Sequence, residues 1–460
     1  MSGDPQPGPI FLPQITIQSD VQAVIDDIRQ GTSVSEDIWI SCYLRGEPSL
    51  HCKATVLLDD DGSSITMEGR DGVYIKAASS AIYEVSCPSL GINPTRLRAP
   101  KVVYRDLKAQ QVRNLMTSRA GGAAQATHAL ITTQIPRAIS SFDIAPNGSV
   151  YATGFDNGSI AISSVSSSSA SRLKTGKPHA STITSLRFFP SSEVLLASSL
   201  DMSLSIISAI DLTVPRQFKG HSRSVTDTAI IERGKNVISS GKDGTVRLWD
   251  VGAGKQIRMM GTEGWSPVLK MAVGANTTQI RPSSANNDTL DGISPAQSFM
   301  DGEIGTQDKV LCCALQNGRF SILDLNTKMA VYNSASNVPS SPLHAIAYNS
   351  ERYLIATGSG QGVVTIYDTR ALGTDKGMLF RCQRNEACIE DLAFSEQTSA
   401  PSPELVVGTV DGLPFRLAID TTGPRVVEEL VGFDCDPVRV VRTAAGHTWV
   451  AGDDGLVRKF

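Results

Sequence analysis

Residues 218–250 contain four side chains with the chemistry of an acid–base or metal site: His221, Ser239, Asp243 and Trp249. A histidine beside a carboxylate can transfer protons near neutral pH, and both groups bind transition metals. The same four groups could instead form a buried hydrogen-bond chain, because each has a donor or acceptor that its neighbour can use. The elements that position them distinguish the two interpretations.

The sequence around these residues, FKGHSRSVTDTAIIERGKNVISSGKDGTVRLWD, alternates apolar runs with turn residues. The apolar runs predict three strands: Val225–Ile231, Val237–Gly241 and Thr245–Asp250. Asp243-Gly244 predicts a tight hairpin turn, where glycine adopts positive φ without steric cost. With Gly220-His221 at one end and Trp249-Asp250 at the other, the pattern is typical of a WD40 repeat, which forms one four-stranded blade of a β-propeller.

In a WD40 repeat, residues at these spacings form a structural tetrad. Asp243 accepts a hydrogen bond from His221, His221 bonds Ser239, and Ser239 bonds the indole of Trp249. A buried polar chain is favourable only when every member is satisfied. We therefore predict a structural role, with catalysis or metal binding by His221 and Asp243 as the alternative.

One repeat cannot bury both faces of its sheet, so further blades are expected. Seven copies of the strand–turn–strand pattern begin at Tyr151, Leu196, Ile238, Leu311, Ile355, Val406 and Trp449. The position before the turn glycine, which Ser203 replaces once, is occupied in order by Asn157, Met202, Asp243, Asn317, Gln361, Asp411 and Asp454. These positions are 45, 41, 74, 44, 50 and 43 residues apart, against about 40–45 in a WD40 array. The sequence predicts an all-β fold, a seven-bladed WD40 β-propeller preceded by a small β-rich N-terminal domain with one short helix.

The last blade needs an outer strand, because the sequence reaches Phe460 on the third strand of that blade. Propellers commonly close by taking this strand from the N-terminal side, which removes an open sheet edge. Thr127–Thr133 lies just upstream of the first inner strand and has strand character. We predict that it pairs beside Leu456–Phe460.

The predicted organisation is a disordered tail over residues 1–13, an N-terminal domain over 14–90, a connector over 91–126 and the propeller over 127–460. The N-terminal helix has one apolar stripe, formed by Val21, Val24, Ile25 and Ile28. Residues 276–308 account for the long spacing of 74 residues between the turns at Asp243 and Asn317. We predict that they form a flexible insertion. The basic connector could contact RNA or an acidic partner. Because Tyr104 is its only aromatic residue, we favour packing on the acidic N-terminal domain.

Composition argues against several classes of protein. The 460-residue chain has a formal net charge of −4, so no general nucleic-acid or membrane partner is expected. No apolar run approaches the roughly 18–20 residues that span a membrane, and the N-terminus lacks the pattern of a secretory signal. The eight cysteines form no CxxC motif, which favours a reduced cytoplasmic or nuclear compartment. We predict a monomer.

The sequence contains no GxSxG, HExxH, P-loop or dinucleotide-binding motif. The inner strands, such as Ile139–Ile144 and Leu343–Tyr348, offer few polar residues to a central channel. With six histidines scattered along the chain, we predict no enzymatic activity, no cofactor and no metal site. Function is then expected on a surface.

Propellers usually bind ligands on the face formed by the loops between blades and by the turns between second and third strands. The candidate partner-binding residues on that face are Glu263, Trp265, Glu386, Asp434, Asp436 and Asp453. Such an acidic set would steer a basic partner, and an aromatic anchor would supply a hot spot. The alternative is that these acids only solvate the loop tips.

Short segments in both predicted domains resemble segments of a known protein family. They are Ile17-Gln18-Ser19-Asp20, Trp39 with Ser41-Cys42, Pro48-Ser49-Leu50, Phe218-Lys219-Gly220-His221, Asp227-Thr228-Ala229-Ile230, Arg233-Gly234, Asn236-Val237, Asp243-Gly244-Thr245, Gly305-Thr306, Asp434-Cys435-Asp436-Pro437-Val438 and Asp454-Gly455-Leu456-Val457-Arg458. In these segments the chain resembles the proteasomal ATPase-associated factor family, the WD40 assembly chaperones of the proteasome regulatory particle. The insertion at 276–308 and the serine-rich loop Ser163–Ser171 depart from the family pattern.

The resemblance implies a non-catalytic assembly chaperone. It implies binding to the C-terminal domain of an ATPase subunit in the base of the regulatory particle, with other base subunits or chaperones as further partners. It also implies regulation of base assembly and of docking on the core particle, in the cytoplasm and the nucleus. The alternative is a WD40 substrate adaptor or scaffold of a ubiquitin ligase or another complex, which would have a stable partner outside the proteasome.

Overall fold

The computed structural model describes residues 8–58, 65–69, 72–79, 81–105, 111–116, 130–135, 138–166, 172–276, 301–335, 341–396, 402–420 and 422–460. The inner strands of seven sheets contact one another in sequence, and the seventh contacts the first, which closes a β-propeller. The predicted all-β fold is confirmed. None of the described helices is long and apolar enough to cross a membrane.

The first three blades run continuously from residue 139 to residue 261. Blade 1 consists of strands Ile139–Ile144, Val150–Phe155, Ile160–Ser164 and Arg172–Gly176. Blade 2 consists of Ile183–Phe188, Val194–Ser199, Ser203–Ser208 and Arg216–Lys219. Blade 3 consists of Val225–Ile231, Asn236–Gly241, Thr245–Asp250 and Lys255–Gly261.

The remaining blades occupy residues 268 to 459. Blade 4 consists of Val268–Ala275, Lys309–Leu315, Phe320–Asp324 and Ala330–Asn333. Blade 5 consists of Leu343–Asn349, Leu354–Ser359, Val363–Asp368 and Met378–Gln383. Blade 6 consists of Ile389–Phe394, Glu404–Thr409, Phe415–Asp420 and Gly423–Leu430. Blade 7 has Val438–Ala444, His447–Gly452 and Leu456–Lys459 from the C-terminal part of the chain. Middle strands such as Asn236–Gly241 are buried at every position, because neighbouring blades cover both faces.

The outer strand of blade 7 is Val102–Arg105, which pairs antiparallel with Leu456–Lys459. The prediction that Thr127–Thr133 closes the ring is therefore wrong. Leu130–Ile135 instead pairs with Gln111–Met116, and residues 127–129 lie outside the described part of the chain. Tyr104 anchors this strand, because its buried ring stacks on Trp449. The segment predicted as a connector thus contributes a propeller strand.

The other N-terminal strands are Ile10–Phe11, Gln14–Ile17, Ser35–Tyr43, Leu50–Leu58, Ile65–Gly69, Tyr74–Ser79, Ile82–Cys87 and Ile92–Arg98. The single described α-helix, Val21–Arg29, buries all four residues of its predicted apolar stripe. Short 3-10 helices span Pro88–Leu90, Glu263–Trp265 and Thr369–Ala371.

The N-terminal region is joined to the propeller through its backbone. Ile92–Arg98 pairs parallel with the outer strand of blade 6, so that sheet extends to seven strands. Ile10–Phe11 pairs parallel with the outer strand of blade 5, and Leu12 is buried against it. The expectation of a disordered tail is wrong for residues 8–13, and residues 1–7 lie outside the described residues. Both additions cover sheet edges that would otherwise be open.

The predicted flexible insertion is only partly described. Residues 277–300 lie outside the described residues, whereas 301–308 pack between blades 3 and 4. Asn236 donates a hydrogen bond to the carbonyl of Gly302 and accepts one from the amide of Ile304. The buried carboxylate of Glu303 pairs with Lys328 at 2.9 Å and with Arg258 at 3.4 Å. For residues 301–308 the prediction of a flexible loop is wrong, because these contacts fix the chain.

Candidate functional site

In blade 3, the four polar residues of the sequence pattern form one hydrogen-bond chain. His221 Nδ1 lies 2.9 Å from Asp243 Oδ2, and His221 Nε2 lies 2.8 Å from Ser239 Oγ. Trp249 Nε1 donates to the same Ser239 Oγ at 2.9 Å. One polarity satisfies every group: indole to hydroxyl, hydroxyl to Nε2, and Nδ1–H to carboxylate.

The surroundings of His221 favour a neutral imidazole in this hydrogen-bond chain. Burial lowers the pKa of His221 below 6.5 and outweighs the opposing effect of Asp243. Burial acts to raise the pKa of Asp243, but hydrogen bonds from Thr245, Ser222 and His221 outweigh it and the pKa is lowered. With both ring nitrogens engaged inside one blade, this His–Asp pair stabilises the blade's loop and strands.

Blade 2 contains a truncated version of the same chain that sequence reasoning missed. His179 Nδ1 lies 3.0 Å from Asp201 Oδ2, but its buried Nε2 has no hydrogen-bond partner among the described residues. Strand pairing places Ala197 where blade 3 has Ser239. A usable signal was present, since His179 and Asp201 are 22 residues apart, as are His221 and Asp243.

The assignment of the blade 2 turn in the sequence was wrong by one residue. Met202, with φ of 68°, occupies the left-handed position that Gly244 occupies in blade 3 with φ of 74°. Asp201, not Met202, is therefore the counterpart of Asp243. Its carboxylate accepts from the amide of Ser203, as Asp243 accepts from Thr245.

Six charged side chains converge on the central channel, contrary to the expectation that the inner strands offer few polar groups. Three are acids and three are bases, so their formal charges cancel: Asp143, Asp227, Asp391, Arg187, Lys270 and Arg442. Sequence reasoning missed them because they are spread over six of the seven inner strands, with one such residue on each. Five of them line a cavity of about 440 Å³ in the channel.

Each of the three channel carboxylates accepts a hydrogen bond from the inner strand of the next blade. Asp143 accepts from the amide of Phe188 at 2.7 Å. Asp227 accepts from the amide of Met271, and Asp391 from that of Val441, both at 3.1 Å. These bonds give the buried carboxylates a structural role at the interfaces between blades.

The basic side chains of the channel form ion pairs with these carboxylates. Arg442 contacts Asp391 at 2.7 Å and Asp143 at 3.7 Å. Burial acts to raise the pKa of Asp391, but Lys270 and Arg442 outweigh it and the pKa is lowered. For Asp143, burial dominates and raises the pKa. The engagement of each carboxylate with a cation and an amide disfavours a role as general base.

The predicted partner-binding residues lie on four separate segments of one face, which we call the top face. It is formed by the loops between blades and the turns between second and third strands. Asp434 and Asp436 lie in the loop between blades 6 and 7, beside Asp453 in the turn of blade 7. Burial raises the pKa of Asp436, and Asp454, Asp434 and Asp453 raise it further. The structure thus brings three of the six candidates into one acidic cluster.

The other candidates stand apart from this cluster. Trp265, in the loop between blades 3 and 4, is 59% exposed. Its ring lies over Gly261, where a Cβ would approach within 2.9 Å of the ring. Glu263 in the same loop lies 3.9 Å from Arg319 of blade 4. Glu386, between blades 5 and 6, lies 3.5 Å from Arg45 of the N-terminal domain.

Ion pairing distinguishes the acids. Asp453 pairs with Arg439 at 2.7 Å, and Asp454 pairs with Arg458. Asp434 and Asp436 form no ion pair within the described ranges, and Asp434 is exposed. A cationic ligand could therefore pair with Asp434 or Asp436 without displacing a cation of this protein.

Comparison with known proteins adds to this picture. The family model "WD domain, G-beta repeat" matches residues 170–208 and 212–250. The chain carries WD40 repeats. Each match begins near the outer strand of one blade and ends on the third strand of the next. Blade 7 follows the same order, because its outer strand Val102–Arg105 precedes its other three strands in the sequence.

This chain is similar to one curated relative over a short stretch. The chain is 54% identical over 57 residues to "26S proteasome regulatory subunit RPN14" of Saccharomyces cerevisiae. The stretch spans 12% of this chain and 14% of that protein. WD40 domains mediate protein–protein interactions.

Proposed function

We propose that this protein is a non-catalytic assembly factor of the proteasome regulatory particle that binds the C-terminal domain of an ATPase subunit. The local similarity to a proteasome regulatory subunit supports the link to the regulatory particle. The observation that carries the binding proposal is the acidic cluster at Asp434 and Asp436. The protein would act in the cytoplasm and nucleus, regulating base assembly and docking on the core particle.

The top face suits a basic partner surface. Asp434 and Asp436 project from one short loop without ion-pair partners in the described ranges. Burial raises the pKa of Asp436, and the negative charges of its neighbours Asp454 and Asp453 raise it further. A lysine or arginine of the partner would relieve this repulsion and steer association. Trp265 offers an exposed aromatic contact on the same face.

Charge reversal tests the binding proposal directly. We expect D434K together with D436K to weaken binding to recombinant ATPase C-terminal domains by at least about 10-fold at low salt, because two attractions become repulsions. The loss should shrink as salt increases, since screening weakens exposed charge interactions. D375K is the matched control, because Asp375 is an exposed acid in the loop between third and outer strands of blade 5. Unchanged affinity of the double variant at low and moderate salt would refute the proposed surface.

Affinity capture of the tagged full-length protein from its own cells tests the wider proposal. We expect regulatory-particle ATPases to co-elute without the core particle. Recovery of ubiquitin-ligase components, or of a stable partner unrelated to the proteasome, would instead favour the adaptor function. The charge-reversal variant distinguishes a partner of the top face from a partner bound elsewhere.

A further inference from the structure

Three different metal-binding side chains meet between blades 5 and 6, near the top face. They are His344 on the inner strand of blade 5, and Cys388 and Glu390 at the start of the inner strand of blade 6. Their donor atoms all lie within 4.8 Å of one another. All three side chains are partly exposed, so an ion from solvent can reach them.

A repeated β-bulge explains why these residues face one another. In every blade the pairing of inner and second strands shifts after the first residue, which leaves the next residue unpaired. Such bulges re-aim side chains. In blades 1 and 3 the bulged residues Ser140 and Thr226 donate to carbonyls of the next inner strand, Ile183 at 2.7 Å and Val268 at 2.8 Å. The bulge therefore directs its side chain towards the next blade.

Blades 5 and 6 replace these hydroxyls with ligand groups. His344 occupies the bulge of blade 5, and Glu390 occupies that of blade 6. Cys388 lies next to Ile389, whose carbonyl its sulfur contacts at 3.7 Å. At the junction of blades 5 and 6, an imidazole of blade 5 therefore faces a thiol and a carboxylate of blade 6.

We propose that His344, Cys388 and Glu390 bind one divalent transition-metal ion of the zinc class. Imidazole, thiolate and carboxylate are the three ligand types of zinc sites. Bonds of about 2.0–2.3 Å place tetrahedral ligands about 3.5 Å apart, so the donors move inward by roughly 1 Å. Three protein ligands leave a fourth position for water or for a side chain of a partner protein.

Surrounding charges support this site. Arg439, the bulged residue of blade 7, lies 3.3 Å from Glu390 Oε2, and Asp453 balances it at 2.7 Å. Outer-shell bonds of this kind fix the orientation of a ligating carboxylate. A cysteine thiol is mostly protonated at pH 7, so metal binding releases its proton as the metal–sulfur bond forms.

Cobalt(II) titration of metal-free, full-length protein under anaerobic conditions tests the site. We expect a cobalt–thiolate charge-transfer band that saturates at one equivalent and disappears on addition of zinc. C388S should abolish the band. C435S should retain it, because Cys435 is the exposed thiol of the top face. H344N and E390Q should each lower the affinity by at least about 10-fold.

Proton release gives a second readout on the unmodified protein. Calorimetry at pH 7 in buffers of different ionisation enthalpy should show close to one proton released for each zinc bound. A missing thiolate band in the wild type, a band that survives in C388S, or zinc binding without proton release would overturn the proposal. Neither readout needs a partner, so the result is independent of the proposed function.

Discussion

Tyr104 determines how strongly the propeller closes. Its side chain projects from Val102–Arg105, the strand that completes blade 7, and it is almost fully buried. The ring stacks on Trp449 with centroids 5.9 Å apart and packs against Tyr151 of blade 1 at 5.3 Å. Its hydroxyl donates to the carbonyl of Val165 at 3.0 Å. One side chain thus joins the last blade to the first.

These contacts set the expected cost of removing the ring. Truncating a large buried aromatic residue to alanine costs about 3–5 kcal/mol, and each aromatic pair contributes about 0.5–1.5 kcal/mol beyond its buried area. We expect Y104A to lower the free energy of unfolding by about 4–5 kcal/mol. Y104F keeps the ring and loses only the hydrogen bond to Val165, which costs about 1 kcal/mol.

V103A is the matched control. Val103 lies on the same strand, but its side chain points outward and is 40% exposed, so its truncation should cost about 0.5 kcal/mol. Urea denaturation followed by far-UV circular dichroism and tryptophan fluorescence measures all three variants. A cost for Y104A no larger than that for V103A would refute closure by this strand. That outcome would return Thr127–Thr133 to consideration.

Three further predictions follow from buried polar groups. A197S should raise the free energy of unfolding, measured by urea denaturation, by about 1 kcal/mol, because the new serine hydroxyl would form a hydrogen bond with Nε2 of His179. A loss of stability would refute this hydrogen bond. Burial lowers the pKa of His179 and His221 below 6.5, so the unfolded chain binds more protons and stability should fall as pH decreases below 6.5. Urea denaturation from pH 7 to pH 5 should show this decrease, with a smaller slope in H221Q; equal slopes would contradict it. R384M should lower the free energy of unfolding by about 3–5 kcal/mol, because it leaves Glu429 buried without the cation that pairs with it. The control R425M removes an exposed arginine from the blade that contains Glu429 and should cost less than 1 kcal/mol. Equal melting temperatures of the two variants would contradict the prediction.

The buried Arg384–Glu429 pair shows how closely the N-terminal domain is integrated with the propeller. Glu429, on the outer strand of blade 6, also accepts from the amide of Ile15. Arg384 contacts the carbonyl of Pro13 at 3.4 Å. One strand away, Arg98 pairs with Glu428 at 2.5 Å. A rigid junction of this kind would present the N-terminal domain and the top face to a partner as one surface.

Local patterns predicted the repeated elements well. The period of the turns located all seven blades, because each blade needs the same apolar strands and tight turns to pack between neighbours. The stripe from Val21 to Ile28 predicted the helix, because helical periodicity is written in adjacent residues. The spacing of His221, Ser239, Asp243 and Trp249 suggested their contacts, because all four lie in one blade.

Contacts between residues distant in sequence became visible only in the folded chain. The choice of Val102–Arg105 over Thr127–Thr133 depends on Ile92–Arg98, which lies on blade 6 and delivers the following strand to blade 7. The charges of the channel come from six blades, and His344 of blade 5 meets Cys388 and Glu390 of blade 6. The individual blade can be predicted from the sequence, because local periodicity sets its strands and turns. Ring closure determined which blades meet, and with them the composition of every site between blades.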